Sequence, residues 1–336
     1  FKGVTGVAYD NETTPRYQYE FDAGGNVCKV KDNHLNRQTT VEYDSCARPF
    51  RTIEKAGNNH HYTTQIVYND RNEVSRIYEQ IGASRLEWQN HFTYDNEGRL
   101  TEIYMPGKIN YAYDALGRIT TRTYDNTQGI PNYQTTYGYV AGGQGTDSTT
   151  ALISTITQTG MNFSYAYDDV GNIVSETRNN VTTTYAYDAL GQLARVNDPH
   201  QNKSFTYTYD RGGNILSKSE YAYTTGELGT ATNTIPYTYG DANWKDKLTA
   251  YDSTPITYDA IGNPLNDGKW AYTWQAGRQL TSLTRTDDTL TFEYDANGLR
   301  TKKTSTTRGT TEYTLRGKQI VYLKRGTNTA HFSYDQ

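Results

Sequence analysis

The chain has 336 residues and a formal net charge of −4, and 35% of its residues are hydrophobic, a class to which tyrosine alone contributes 32 residues. It is short of aliphatic core material, but it is too rich in aromatic and β-branched residues to be disordered. The sequence has no basic stripe, so no nucleic-acid partner is predicted. It also has no run of about 18 apolar residues, so no membrane span is predicted. Tyrosine and threonine favour half-exposed pleated sheets, and an all-β protein is expected.

Two cysteines lie in the first part of the chain, at Cys28 and Cys46. Cys46 falls where Leu116 stands in the motif described below, and both cysteines are expected to be small buried apolar residues. A disulfide between them is the alternative, which the sequence leaves open because it gives no distance between the two sulfur atoms.

The next candidate for chemistry is the polar stretch Asn58-Asn59-His60-His61, where a metal ion could bind. No cysteine or acidic residue stands beside the histidines at ligand spacing. The stretch is therefore predicted to be a solvated loop, and no metal ion or cofactor is predicted for the chain.

The stretch Tyr111–Thr120 predicts a β-hairpin. Tyr111 and Tyr113 are two residues apart and share one face of an extended segment. Asp114 can accept a hydrogen bond from the backbone N–H two residues on, which begins a turn. Gly117 stands where a residue of positive φ closes a three-residue loop with a bulge.

This Tyr-Asp-x-x-Gly motif recurs about every 22 residues, a period long enough for two strands and two connections. The well-formed copies have their tyrosine, aspartate and glycine at Tyr94, Asp95 and Gly98; Tyr113, Asp114 and Gly117; Tyr167, Asp168 and Gly171; Tyr187, Asp188 and Gly191; Tyr209, Asp210 and Gly213; Tyr258, Asp259 and Gly262; and Tyr294, Asp295 and Gly298. One structural cause, the turn, accounts for all these aspartates. No catalytic residue is predicted, and the chain is not expected to be an enzyme.

The number of repeats limits the possible architectures. About 15 repeats of two strands give roughly 30 strands, and at about 4.8 Å per strand the sheet would be on the order of 140 Å wide. Open twisted sheets rarely exceed ~10 strands without curling or splitting. We therefore expect an all-β repeat protein, an antiparallel β-hairpin spiral that curls into a hollow shell, with residues 1–336 as a single segment. A β-propeller is the alternative, since two repeats match one four-stranded blade. Similar consecutive copies at Tyr167, Tyr187 and Tyr209 favour equivalent hairpins instead.

An aromatic strand follows the sixth well-formed copy. Trp270, Tyr272 and Trp274 alternate along it and share one face. Each ring has an apolar face and a polar edge, which suits stacking on sugars. Ladder packing between neighbouring repeats is the structural alternative.

The motif in its longer form, Tyr-Asp-x-x-Gly followed by Arg or Asn and then Leu or Ile, resembles the YD repeats of RHS proteins. It is seen in Tyr94–Leu100 and Tyr167–Ile173, and the likeness extends from about Phe21 to Asp335. The resemblance implies a β-spiral wound into a hollow shell. Members of the family include bacterial polymorphic toxins, wall-associated proteins, toxin-complex subunits and the teneurin receptors of animals.

In bacterial members the shell commonly encloses a C-terminal toxic domain that follows a core segment with an Asp-Pro-x-Gly motif. Here the Asp-Pro pair is Asp198-Pro199-His200-Gln201, which departs from that motif. The resemblance thus implies a segment truncated at both ends, whose partners are a missing C-terminal cargo or toxin domain and the rest of the shell. It implies a secreted or cell-surface bacterial location. A surface adhesin or carbohydrate-binding scaffold that uses the aromatic strand is the alternative function.

Overall fold

A computed structural model describes residues 3–9, 12–82, 88–105, 107–125, 132–143 and 149–334. Asp335, at the end of the repeat resemblance, lies outside these ranges. Every regular element in the described ranges is a β-strand, and no helix occurs among them. Accordingly, the described part of the chain contains no helix long and apolar enough to cross a membrane.

The contacts divide the chain into two compact units, and each is described by itself. The first unit comprises Phe1–Ile109 and Trp270–Gln336, and the second comprises Asn110–Lys269. Strand β10, Gly107–Tyr113, leads the chain out of the first unit and into the second.

The first unit contains two groups of strands from opposite ends of the sequence. The first group is β1 (Gly6–Val7), β2 (Tyr17–Phe21), β3 (Val27–Asp32), β4 (Arg37–Tyr43), β5 (Pro49–Ala56), β6 (Asn59–Tyr68), β7 (Val74–Ile81), β8 (Trp88–Tyr94) and β9 (Leu100–Met105). The second group is β25 (Ala271–Gln275), β26 (Gln279–Arg285), β27 (Asp288–Tyr294), β28 (Arg300–Ser305), β29 (Gly309–Arg316), β30 (Gln319–Arg325) and β31 (Asn328–His331).

The second unit contains the strands between these two groups. They are β11 (Ile119–Asp125), β12 (Tyr133–Ala141), β13 (Thr149–Gln158), β14 (Met161–Tyr167), β15 (Ile173–Arg178), β16 (Val181–Tyr187), β17 (Leu193–Asp198), β18 (Lys203–Tyr209), β19 (Ile215–Ala222), β20 (Asn233–Thr238), β21 (Ala250–Tyr251), β22 (Thr254–Pro255), β23 (Thr257–Tyr258) and β24 (Pro264–Asn266).

Consecutive strands are antiparallel neighbours, as expected for hairpins that follow one another. Each strand from β1 to β9 pairs with the next along the chain. The same holds from β11 to β22. It holds again from β25 to β31. A propeller would interrupt the pairing after every four strands. The all-β hairpin-repeat fold is confirmed, and the propeller alternative is wrong.

A bulge precedes the turn in nearly every repeat. In the hairpin of β16 and β17 the pairs are Ala186 with Arg195 and Tyr187 with Leu193, so the returning strand has one extra residue, Ala194. The same shift stands before Tyr167, Tyr209 and Tyr294. Because bulges bend a strand and increase its twist, a bend is built into each repeat.

Buried apolar side chains are concentrated in the first unit, where side chains of the two strand groups meet. They include Ile77 and Ile103 from the first group and Phe292 and Val321 from the second. Most strands of the second unit carry half-buried residues on both faces, as in β15, whose first five residues are all half-buried. The low aliphatic content is thus accommodated by sheets whose rings and hydroxyls are only partly removed from water.

Candidate functional site

In six of the seven predicted YD motifs the aspartate uses both carboxylate oxygens inside its own turn. In the turn after β16, Asp188 Oδ1 accepts the backbone N–H of Leu190 and of Gln192, each at 2.9 Å. Asp188 Oδ2 accepts the side-chain amide of Gln192 at 2.9 Å. The backbone N–H of Gly191 donates to the Asp188 carbonyl at 3.0 Å and closes the loop.

Five other predicted turns repeat this arrangement with a different side chain four residues after the aspartate. Oδ2 accepts from Arg99 at Asp95, Arg118 at Asp114, Asn172 at Asp168, Asn214 at Asp210 and Asn263 at Asp259. The seven predicted glycines, at positions 98, 117, 171, 191, 213, 262 and 298, have φ between 75° and 94°.

These hydrogen bonds hold the turn aspartates in the ionised form. The backbone N–H of Gln192 lowers the pKa of Asp188 below its usual value, and the Asn172 amide does the same for Asp168. A general acid needs a carboxyl group that is protonated near the working pH. The turn aspartates therefore act as hydrogen-bond acceptors that fix the loop.

The tyrosine of the motif reaches the preceding repeat, a contact that the sequence did not predict. The Tyr187 hydroxyl donates to the Ile173 carbonyl at 2.8 Å. The acceptor is the first residue of a returning strand, five positions after the preceding aspartate. Equivalent bonds run from Tyr94 to Val74, Tyr167 to Ile153, Tyr209 to Leu193, Tyr258 to Leu248 and Tyr294 to Leu280. Tyr113 has the corresponding position at the end of β10. We call this bond the tyrosine clamp.

In two turns the fifth residue, counted from the aspartate, is an arginine that adds a second link between repeats. The guanidinium of Arg118 lies over the ring of Tyr139 at 4.0 Å from its centroid, and that of Arg48 lies over Tyr68 at 4.2 Å. Each arginine thus pairs with the aspartate of its own turn and stacks on the tyrosine of the next repeat. Stacking of this kind is favourable because the ring face is negative.

Asp295 departs from the pattern. Leu299 stands four residues after it, in place of an arginine or an amide, and donates only its backbone N–H to Oδ1 at 2.9 Å. Burial raises the pKa of Asp295, whereas the pKa of the other turn aspartates is lowered. The Tyr17 hydroxyl meets the Asp295 carbonyl at 3.4 Å, which joins the two strand groups of the first unit.

Glu79 is the second residue that joins these strand groups. Its side chain is 0% exposed and accepts a hydrogen bond from the Tyr62 hydroxyl at 2.5 Å. Arg316 Nη1 lies 3.2 Å from one carboxylate oxygen, and His331 Nε2 lies 2.9 Å from the other. We call these four residues the Glu79 cluster. The sequence did not predict this cluster, because its members belong to different repeats.

The aromatic residues Trp270, which directly precedes β25, and Tyr272 and Trp274, which lie in it, make different contacts. The rings of Tyr272 and Trp274 are parallel, with centroids 6.5 Å apart and planes 7° apart. The Arg285 guanidinium lies 4.6 Å from the centroid of a Trp270 ring. All three side chains are half-buried.

Two expectations about candidate chemical groups are wrong. Cys46 is exposed and Cys28 is half-buried, and both are free thiols. Cys46 occupies the turn position of Leu116, and the structure exposes that position, since Leu116 itself is 68% exposed.

The prediction of a solvated loop at the two histidines is also wrong. A two-residue turn ends at Asn58, so that His60 and His61 lie within β6. His60 Nε2 lies 2.7 Å from the Thr63 hydroxyl, and burial lowers the pKa of His61. In the described ranges no three His, Cys, Asp or Glu side chains are grouped closely enough to hold a metal ion.

The fold and the repeated turn together define a class, the β-hairpin repeat proteins with a Tyr-Asp turn in each repeat. Comparison with protein families gives the particular family. The model of the teneurin YD-shell matches residues 2–182, and that of the RHS repeat matches residues 167–202 and 187–227. The chain belongs to the teneurin YD-shell family and carries RHS repeats.

Individual relatives match over short stretches or at low identity. The chain is 38% identical over 65 residues to the tRNA nuclease WapA of Bacillus subtilis strain 168, and equally to the tRNA3(Ser)-specific nuclease WapA of Bacillus spizizenii. These matches cover 18% of the chain, which spans only about 3% of the length of either relative. Among solved structures, TcdB2-TccC3 aligns with 95% of the chain and 22% of its own, at 15% identity and a TM-score of 0.49.

Proposed function

We propose that the chain is a wall segment of a YD shell in a secreted or cell-surface bacterial protein. In that role it encloses or presents a cargo or toxin domain encoded with it, forms one continuous segment with its repeats, and catalyses no reaction itself. The tyrosine clamp carries this proposal. The hydroxyl of one repeat bonds to the backbone of the preceding repeat, so the motif residues serve the wall and not a reaction.

The WapA relatives support the division between wall and cargo. Their names describe tRNA nucleases, whereas the matched segment is about 3% of each protein. We assign the named nuclease activity to a part of those proteins that corresponds to no part of this chain. A toxin domain of comparable kind is the cargo that we propose for this shell.

Protection of the cargo tests the proposal. In the full-length product of the gene, native trypsin digestion should spare a toxin domain that is digested quickly when expressed alone. A variant with Tyr187, Tyr209 and Tyr258 all changed to Phe loses three clamps and should expose the cargo faster. Asp169→Asn, a change at an exposed turn residue, is the matched control and should leave the digestion rate unchanged.

Two results would contradict the proposal. A cargo digested equally fast inside the full-length protein and alone would exclude enclosure. Cleavage of tRNA by the purified 336-residue chain would exclude a non-catalytic wall.

A second candidate is an adhesin or carbohydrate-binding scaffold, which the parallel rings of Tyr272 and Trp274 favour. Parallel rings present a flat apolar surface of the kind that sugar rings stack on. Binding to a glycan panel should be lost in Trp274→Ala and in Trp270→Ala. It should persist in Trp244→Ala, which removes an exposed indole from the second unit. A wild-type chain that binds no glycan of a broad panel would rule out this candidate.

A further inference from the structure

The first unit contains a cavity of about 450 Å³ between its two strand groups. One wall is the shared face of β3 to β6, and the other runs from the turn at Asp295 to the end of β29. This volume is within the range of about 300–1,000 Å³ that is usual for small-molecule sites. No motif of the repeat accounts for it.

The strand register brings the polar groups of the cavity together. Thr39 pairs with Val30 on one side and with Glu54 on the other, and Glu54 pairs with Tyr62. Paired residues on neighbouring strands point to the same face. Glu54 therefore lies in the middle of a row that crosses four strands.

The cavity is lined by more acidic than basic side chains. Asp32, Glu54 and Asp295 line it, together with the guanidinium groups of Arg37 and Arg316. Arg316 is paired with Glu79, which is outside the lining. Arg37 is thus the cation that remains for three carboxyl groups.

Asp32 gives a second and independent indication of a ligand. Its side chain is 6% exposed, and its Oδ1 accepts the backbone N–H of His34 and of Leu35 at 2.9 Å. The other oxygen, Oδ2, is buried and has no hydrogen-bond partner. A buried carboxylate oxygen without a donor is costly, and such groups are rare in folded proteins.

The rest of the lining is apolar, which narrows the class of ligand. Val27, Val30, Val41, Ile66 and Leu315 contribute to it. A simple metal ion would leave these side chains without contacts, and the acidic groups of the described ranges are too dispersed to chelate one. A cation with an apolar body matches both parts of the lining.

We propose that this cavity binds a small organic ammonium compound, with its charged group in the acidic lining formed by Asp32, Glu54 and Asp295 and its apolar body against the valine and isoleucine side chains.

The ionisation of Glu54 makes the affinity of this site depend on pH. Burial raises the pKa of Glu54 to about 7, opposed by Arg37 and reinforced by Asp295. The other titratable groups in the lining are Asp32 on β3, Tyr43 on β4, Tyr62 on β6, and Tyr313 and Arg316 on β29. An ammonium group favours ionised Glu54, so binding strengthens as pH rises through 7 and releases a proton where Glu54 is partly protonated.

Calorimetry with hexylamine as the probe and hexanol as its neutral analogue tests the proposal on the 336-residue chain. Hexylamine should bind about tenfold more tightly than hexanol, as expected for a hydrogen bond to a charged group. Glu54→Gln and Asp32→Asn should each remove that preference while hexanol binding persists. Asp169→Asn is the control and should bind hexylamine as the wild type does. Thermal melts of each variant verify that it is folded.

Other outcomes overturn the proposal. Equal binding of hexylamine and hexanol would show an apolar cavity without a cation site. A preference for hexylamine that survives both Glu54→Gln and Asp32→Asn would place the amine elsewhere, and so would an affinity that does not change with pH. No hexylamine binding by a folded wild-type chain would exclude the site, and so would calcium binding that displaces the amine.

Discussion

At the scale of single residues, the tyrosine clamp links one repeat to the next through one hydroxyl. Tyr294→Phe keeps the ring and removes the bond to the Leu280 carbonyl, which is 2.8 Å long. We expect a loss of about 1 kcal/mol in the free energy of unfolding, the usual net value of such a bond. Urea denaturation measures it, with Tyr104→Phe as the control because the Tyr104 side chain is 54% exposed. Equal effects of the two changes would show that the clamp does not stabilise the first unit.

Alanine substitutions at two turn glycines compare backbone strain alone with backbone strain plus a steric clash. A Cβ at Gly191 would meet no atom within 4 Å, whereas a Cβ at Gly262 would lie 2.4 Å from the Trp244 ring. Both residues have positive φ, at 75° and 88°. Gly191→Ala should cost about 1–2 kcal/mol, the usual cost of that conformation for an L-residue.

Gly262→Ala should cost more than Gly191→Ala, and Trp244→Ala should remove the excess. Urea denaturation of the two single variants, and of Gly262→Ala in the Trp244→Ala background, measures both effects. If the cost at Gly262 were unchanged without the indole, the clash would not be its cause.

Glu54 gives a pH dependence of stability that is opposite in sign to that of the six predicted turn aspartates whose pKa is lowered. Its folded pKa of about 7 is above its unfolded value, so the folded chain binds the extra proton. The unfolded value is about 4.3, and stability should fall as pH rises from there through 7. Glu54→Gln removes this loss, so its advantage over the wild type should be greater at about pH 8 than at about pH 5. Chemical denaturation at the two pH values measures the difference, and an equal difference at both would contradict the assignment.

At the scale of the element, the turn depends on complementary side chains at its first and fifth positions. Asp95 Oδ2 accepts Arg99 Nε at 2.6 Å. A turn of the first unit has the reverse polarity, since Asn69 Nδ2 donates to Glu73 Oε2 at 2.6 Å. In both turns Oδ1 of the first residue accepts the backbone N–H groups of the residues two and four positions further on. The turn therefore tolerates either polarity, provided that the two side chains match.

A polarity swap tests this matching. Asp95→Asn sets an amide against a guanidinium, and Arg99→Glu sets two carboxylates together, so each change should destabilise by about 1 kcal/mol. The double variant reproduces the arrangement of Asn69 and Glu73 and should recover most of the loss. A double-mutant cycle by urea denaturation gives the coupling energy. Additive effects would mean that the two side chains do not interact.

The hairpins were predictable from the sequence because their causes are local. Asp188 contacts residues at most four positions away, and Gly191 signals its own positive φ. The clamp acceptors lie 10 to 20 residues upstream, at Leu248 and Val74 for example, and their identification needs the strand register. The error at His60 and His61 has a related cause. The four consecutive polar residues 58–61 predict a loop, but the two-residue turn is Gly57-Asn58, so only the first of the four lies in it and β6 begins at Asn59.

At the scale of the whole molecule, the family and the hairpin-repeat fold followed from the number and spacing of the motifs. The Glu79 cluster and the cavity could not be predicted from these motifs. Glu79 meets Arg316 and His331, which are 237 and 252 residues further along the chain. No local pattern relates residues at such separations, because they come together only when β1–β9 and β25–β31 fold as one unit.

The contact of Glu79 with both strand groups of the first unit leads to a last prediction. Glu79→Ala leaves Arg316 beside the Tyr62 hydroxyl without its anion, and breaking a buried ion pair in this way costs about 3–5 kcal/mol. Hydrogen exchange should then accelerate in β7 and in β29 together, although more than 200 residues separate them. Strands β15 to β17 of the second unit are the internal control and should keep their protection. Faster exchange in β7 with unchanged exchange in β29 would show that the two strand groups open independently and that Glu79 does not hold them together.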